Sequence, residues 1–161
     1  MLFRSTCKRG CRVTTGMAHV SIEDRLAISD LFVRYVCALD AGEVDTVVDC
    51  FTEDGALVSP AVGEHSGRAA IRAFAERFAR FRTNGSQLRH VISNLMLEVA
   101  GDRGHTTCYL TVFLTRDGAS RMLAPGQYDC ELRKVDGVWR FQRRVVLHDH
   151  DYTLEIGRAH V

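Results

Sequence analysis

The stretch RTNGSQ at 82–87 separates two regimes of hydrophobic patterning. Before it, apolar residues recur every three to four positions, the spacing of helices that bury one face. After it they alternate, the spacing of half-buried strands. Helices first and strands afterwards point to an α+β domain, with helices packed on one face of a curved sheet.

Ser21 and Asp24 form a loose capping box that opens a helix over 22–39. Ile22, Leu26, Leu31, Val36 and Leu39 are its expected core face, with Asp24, Arg25, Asp30 and Arg34 largely elsewhere. Ala41-Gly42 stops it. A short second helix over 44–51 turns Val47, Val48 and Phe51 inward, and a third over 67–81 carries Ile71, Phe74, Phe78 and Phe81 at helical spacing. Strands are predicted over 88–100, 105–116, 127–135 and 138–147, separated by GDRG, DGASRMLAPG and VDG. Connections this short imply an antiparallel meander, to which 56–58 and 63–66 add one or two edge strands.

The 161 residues fit one domain, large enough to bury roughly two thirds of its unfolded surface without disulfide support. No apolar run approaches the roughly 20 residues that would span a bilayer. The formal charge of +1 includes Arg4, Lys8, Arg9 and Arg12 in an N-terminal tail without acids, so the remainder is slightly acidic and has no electrostatic footprint for nucleic acid. The six cysteines include no CxxC pair, and Cys37, Cys50, Cys108 and Cys130 fall inside apolar segments. Buried thiols in a reducing cytoplasm are expected, rather than disulfides or zinc ligands. Both ends, 1–16 and 155–161, are expected to be non-native: codons that encode Met1–Ser5 and Ile156–Val161 spell the two orientations of a sequencing-library adapter. The expected domain is therefore 17–154, starting at Met17.

Alternation along RHVISNLMLEV places His90, Ile92, Asn94 and Met96 on one strand face and Val91, Ser93, Leu95 and Leu97 on the other. A histidine and an asparagine among apolar neighbours suggest a pocket wall. Asp40 closes the first helix, where a carboxylate meets the negative end of the helix dipole and needs something cationic nearby. Tyr35 precedes it by five positions, about 140° round an ideal helix, so the two share a cavity only if Asp40 sits on a fraying last turn.

These stretches, with DRLAISDLFVRYVCALDAGEVDTVVDCFTEDG, GRAAIRAFAERF and GQYDCELRKVDGVWRFQRRV, resemble the SnoaL-like branch of the NTF2-like superfamily over about 21–148. The resemblance implies a cone: a strongly curved antiparallel sheet wrapped around three N-terminal helices, with a deep pocket at one end. It narrows towards dehydratase and dehydrochlorinase members that use an Asp–His pair, and Asp40 and His90 stand at the matching positions. Tyr35 and Arg144 match further active-site positions of those members, and a homodimer or homotrimer through the exposed sheet face is implied. Simple alternation puts Arg143 rather than Arg144 on the face of Trp139 and Phe141, so Arg144 reaches the pocket only through a bulge in the last strand. The second active-site histidine of the fungal dehydratase has no counterpart here. His105 lies at a strand entrance, and the HDHD run at 148–151 is expected to be terminal and exposed, without further residues spaced to bind a metal.

Together these residues imply a cofactor-independent lyase or isomerase. His90 would be the general base oriented by Asp40, Tyr35 would hydrogen-bond a substrate oxygen, and Arg144 would stabilise the departing anion. Val36, Ile92, Asn94, Met96, Phe113 and Phe141 are the expected substrate contacts, suited to a small hydrophobic ring compound. No metal, nucleotide or flavin is required, since there is no Gly-rich phosphate loop. The same fold also serves as small-molecule-binding modules, as polyketide cyclases, and as the β subunit of ring-hydroxylating dioxygenases, which acts in assembly; an acid–base pair inside the cone favours the enzyme.

Overall fold

The first helix starts where its capping box places it. The computed structural model describes residues 20–82 and 85–150, and in it the Ser21 hydroxyl accepts from the Asp24 N–H at 3.0 Å to open α1 (Ile22–Ala41). The suspected extensions, 1–16 and 155–161, lie outside the described residues. Gly42, at φ 76°, ends α1 in the left-handed conformation that glycine adopts without strain. The Gly42 and Glu43 N–H groups return to the Leu39 and Ala38 carbonyls at 3.3 and 2.9 Å. The buried face of α1 is Ile28, Leu31, Phe32, Tyr35, Val36 and Leu39. Ile22 and Leu26, expected inward, are 71% and 59% exposed; they stand about 180° and 140° round the helix from Leu31. Among the cysteines, Cys50, Cys108 and Cys130 are buried, but Cys37 is exposed.

Helix α2 (Val44–Asp49) stops short of Phe51, which instead opens β1 (Phe51–Ser59) and is still fully buried. There follow β2 (Gly63–Ser66), α3 (Arg68–Arg82), β3 (Gln87–Ala100), β4 (Arg103–Arg116), β5 (Ala119–Val135) and β6 (Val138–His148). The sheet order is β2-β1-β6-β5-β4-β3, antiparallel throughout except that β1 runs parallel to β6. Strand β5 begins at Ala119 rather than at 127, because Asp117 and Gly118, at φ 52° and 75°, close a two-residue hairpin turn. Its Pro125 lies at the very end of the pairing with β6, where the Asp149 N–H just past that strand still reaches the Pro125 carbonyl at 3.2 Å.

Three bulges in the antiparallel pairings, besides a register shift between β1 and β6, bear on which side chains face inward. In β3 the register slips between Ser93 and Met96, where Asn94 takes φ 56°; asparagine enters the left-handed region more readily than most residues. In β6 one extra residue, Gln142, lies opposite the Glu131–Leu132 step, and in β5 the extra residue is Leu123. Helix α1 packs against both β3 and β6, which lie three strand spacings, about 14 Å, apart along the sheet. One helix touches both because the sheet curves around it. At one end of this wrap Phe32 meets Phe141 edge-on at 5.0 Å, while Trp139 Nε1 and Lys134 Nζ both donate to Asp24 Oδ1 at 2.8 Å.

Candidate active site

Asp40 ends α1 with its side chain only 9% exposed, and His90 on β3 is 8% exposed. One carboxylate oxygen, Oδ1, lies 2.6 Å from His90 Nδ1, and the other accepts the His90 backbone N–H at 2.9 Å. The carboxylate therefore holds both the ring and the strand that carries it. Because an ionised carboxylate only accepts, the short contact puts the imidazole proton on Nδ1 and leaves Nε2 as the basic edge. The last carbonyls of α1 are also engaged: Gln87 Nε2 donates to the Asp40 oxygen at 3.2 Å, and the Arg82 guanidinium donates to Ala41. An anion at a helix C-terminus is unfavourable alone, and here donors and a cation from α3 and β3 surround it.

His90 lines a cavity of about 450 Å³, its mouth included, whose walls come from α1, α3 and the inner face of the sheet. Tyr35 and Arg144 line it too; Asp40 does not, and stands behind the imidazole. Asp40 thus holds the imidazole without lining the cavity, and the Phe78 ring lies with its centroid 6.3 Å from that of the imidazole.

The Gln142 bulge turns Arg144 inward, where it is 1% exposed. Its guanidinium carbon lies 3.5 Å from the ring centroid of Tyr128 and 4.0 Å from that of Tyr35, a cation held between two aromatic faces. Nη1 donates to the Tyr35 hydroxyl at 3.3 Å, while Nε and Nη2 have no hydrogen-bond partner. No carboxylate among the described residues pairs with it. Burial pushes the Tyr35 phenol up to about 12, with Arg144 acting against it, and raises Tyr128 in the same way. Both phenols keep their protons at neutral pH. The cavity thus contains an imidazole held by a carboxylate, neutral phenol hydroxyls and a guanidinium with unused donors.

None of the six expected substrate contacts lines this cavity. The Asn94 bulge reverses the alternation of β3, so Leu95 and Leu97 turn inward while Asn94 and Met96 border a depression on the outer face. Phe113 is 39% exposed: the inward residues of β4 are Thr106, Cys108, Leu110, Val112 and Leu114, and Phe113 has the opposite parity. Val36 is buried about 100° round α1 from Tyr35, and Ile92 packs against the core beside the cavity. Phe141 lies one layer deeper, enclosed by Phe32, Tyr35 and Phe51. The residues that do form the walls include Leu57, Phe74, Phe78, Leu110, Val112 and Val146, together with Tyr128, Ser59 and His148. Tyr128 is legible as a member of the alternating set with Cys130 and Leu132; His148 becomes so only once the bulge fixes Arg144 as inward, four positions earlier on the same face. Among the described residues no group of three or more His, Cys, Asp or Glu side chains is arranged to hold a metal ion, and no helix is long and apolar enough to cross a membrane.

The family model described as a SnoaL-like domain matches residues 20–145, which carry every element described above except the last three residues of β6. The chain belongs to the SnoaL-like family. This SnoaL-like protein is similar to a variant of Rv3472, a protein of unknown function from Mycobacterium tuberculosis, at 30% identity over 80% of this chain and 73% of that one, with a TM-score of 0.74. An NTF2-like protein with a cystatin-like fold from Novosphingobium aromaticivorans shares 26% identity over 80% and 84% of the two chains, with a TM-score of 0.71. Aln2 from a Streptomyces species shares 26% over 81% and 93%, with a TM-score of 0.72. No curated protein matches the chain. The α+β architecture, with three helices against a six-stranded, mostly antiparallel sheet, is the NTF2-like fold.

Proposed function

We propose that this SnoaL-like protein is a cofactor-independent lyase or isomerase that removes a proton beside a carbonyl of a small hydrophobic ring compound. One observation carries the reading: a buried Asp40–His90 pair presents its imidazole to the same cavity as a guanidinium with two unpartnered nitrogens. His90 Nε2 takes the proton from carbon, and Asp40 stabilises the imidazolium that results. The electron pair left on carbon moves onto the carbonyl oxygen, where the Tyr35 hydroxyl and Arg144 meet the developing charge. From that enolate, loss of a β-leaving group gives elimination, with the His90 proton delivered to a departing hydroxide to form water. Return of the same proton to a different carbon gives isomerisation.

The apolar walls exclude water, which strengthens each of these interactions and suits a ring compound better than a sugar or phosphate. A purely binding or assembly role leaves the oriented imidazole without use. The test is a panel of one- and two-ring β-hydroxy ketones, followed by absorbance of the enone that dehydration forms. Turnover of at least one member by the wild type, and its loss in His90→Ala with the fold retained by circular dichroism, are the expected results; a His90→Ala protein with full turnover overturns the base assignment.

A further inference from the structure

The cavity has a second polar wall that this chemistry does not use. His148 closes β6 four residues after Arg144, on the same face of the strand, with Val146 between them. Its Nε2 lies 3.4 Å from the Ser59 hydroxyl on β1, and that oxygen is fixed in turn by the Ala61 N–H at 3.3 Å. Ser59 and His148 both line the cavity that His90 lines. The strand register relates the two imidazoles. His148 faces Gly126, Gly126 faces Leu110, and Leu110 faces Ile92, two positions from His90. They therefore share the concave face, three strands apart and one pleat out of level, on a sheet whose curvature brings opposite walls together.

Between them on the sheet stand Gly126 and Leu110, of which Leu110 lines the cavity. Gly126 carries no side chain, and a Cβ there would collide with the Leu147 carbonyl oxygen, so no other residue fits the backbone at that position. Burial lowers the proton affinity of His148, with His150 acting in the same direction and Asp149 against it. A neutral imidazole carries one donor and one acceptor and does not repel the guanidinium of Arg144.

We propose that His148, held by Ser59, is a specificity-determining residue that hydrogen-bonds a second oxygen of the substrate. That oxygen lies on the edge of the ring system opposite the carbon that His90 deprotonates. The substrate class is thereby narrowed to two-ring compounds oxygenated at both ends, whose apolar middle lies along Leu110 and Val146. This rests on the ring-substrate reading above.

Binding of 2-naphthol and of 2,7-dihydroxynaphthalene, followed by the fluorescence of the ligands themselves, tests it without turnover. The wild type should prefer the diol by about threefold to tenfold, the worth of one net hydrogen bond. His148→Leu should lose that preference while binding 2-naphthol as before. His148→Gln, which keeps a donor, should retain part of it, and Ser59→Ala, which frees the imidazole without removing it, should weaken it. If His148→Leu binds neither compound, His148→Gln decides: a preference kept there supports the assignment, and a preference absent there overturns it. An unchanged preference in His148→Leu overturns the role of His148 and leaves the ring-substrate reading standing; a wild type that binds neither naphthol overturns the ring-substrate reading itself.

Discussion

Among the described residues two Asp–His pairs have nearly equal length. Asp40 and His90 meet at 2.6 Å inside the cavity, and Asp129 and His105 meet at 2.8 Å on the outer face of the sheet. The contact lengths do not distinguish them, but the surroundings do. The inner pair is 9% and 8% exposed, whereas the outer pair is 46% and 49% exposed. Water competes for every hydrogen bond of the outer pair and screens its charges, so its contribution is expected to fall within about 0–1 kcal/mol. The inner carboxylate has no such competitor, accepts from both the ring and the backbone of its partner, and leaves one nitrogen facing an apolar space. An acid–base pair becomes a site through what surrounds it.

The largest expected effect separates the pairs on turnover. His90→Ala should reduce kcat by about 10²- to 10⁴-fold, the usual worth of a positioned general base, and His105→Ala should leave it unchanged in the same assay. Equal losses in both variants would erase the functional contrast. Next, Asp40→Asn should lower kcat by about 10²-fold, since an amide can hold the wrong tautomer of His90, while Asp129→Asn should be neutral.

Asp40 and His90 are legible without coordinates through the family resemblance: a carboxylate that ends a helix and a histidine on an alternating strand say little singly, and the resemblance is what pairs them. The cavity wall is not. A bulge adds one residue to a strand without a composition of its own, so the parity that sorts Leu88 from Arg89 no longer holds past Asn94, and simple alternation puts Met96 on the wrong face. The Gln142 bulge works in the opposite sense: it makes Arg144 the inward residue, as the family resemblance implies and simple alternation denies. Exposure of Phe113 reflects a plain error of parity, since β4 has no bulge in its pairing with β3 on either side of that residue.

Stability should separate the pairs as well. Asp40→Ala leaves the His90 N–H and ring without their acceptor, at a cost of about 1–3 kcal/mol; Asp129→Ala should fall within about 0.5 kcal/mol of wild type. Urea denaturation measures both, and equal destabilisation would show that burial does not set the difference.

The smallest effect is confined to alkaline pH. The buried Tyr35 phenol, raised to about 12 chiefly by burial, is stabilised in its protonated form by folding. The corresponding stability is complete below the ordinary phenol value near 10 and is lost as pH rises from there through 12. Tyr35→Phe should flatten that limb of the stability profile, and His105→Ala should leave its slope alone; a limb unchanged by Tyr35→Phe would assign it elsewhere.

The bond from the Asp40 carboxylate to the main chain of His90 ties the last turn of α1 to β3, across half a hundred positions of sequence. His90 therefore gains its carboxylate partner at the moment the helix docks on the sheet. A chain in which α1 has detached has an imidazole free to take either tautomer and no cavity to use it in. Turnover, once a substrate is in hand, would then serve as a direct gauge of correctly assembled molecules in a population, one that spectroscopic measures of helix or strand content alone cannot provide.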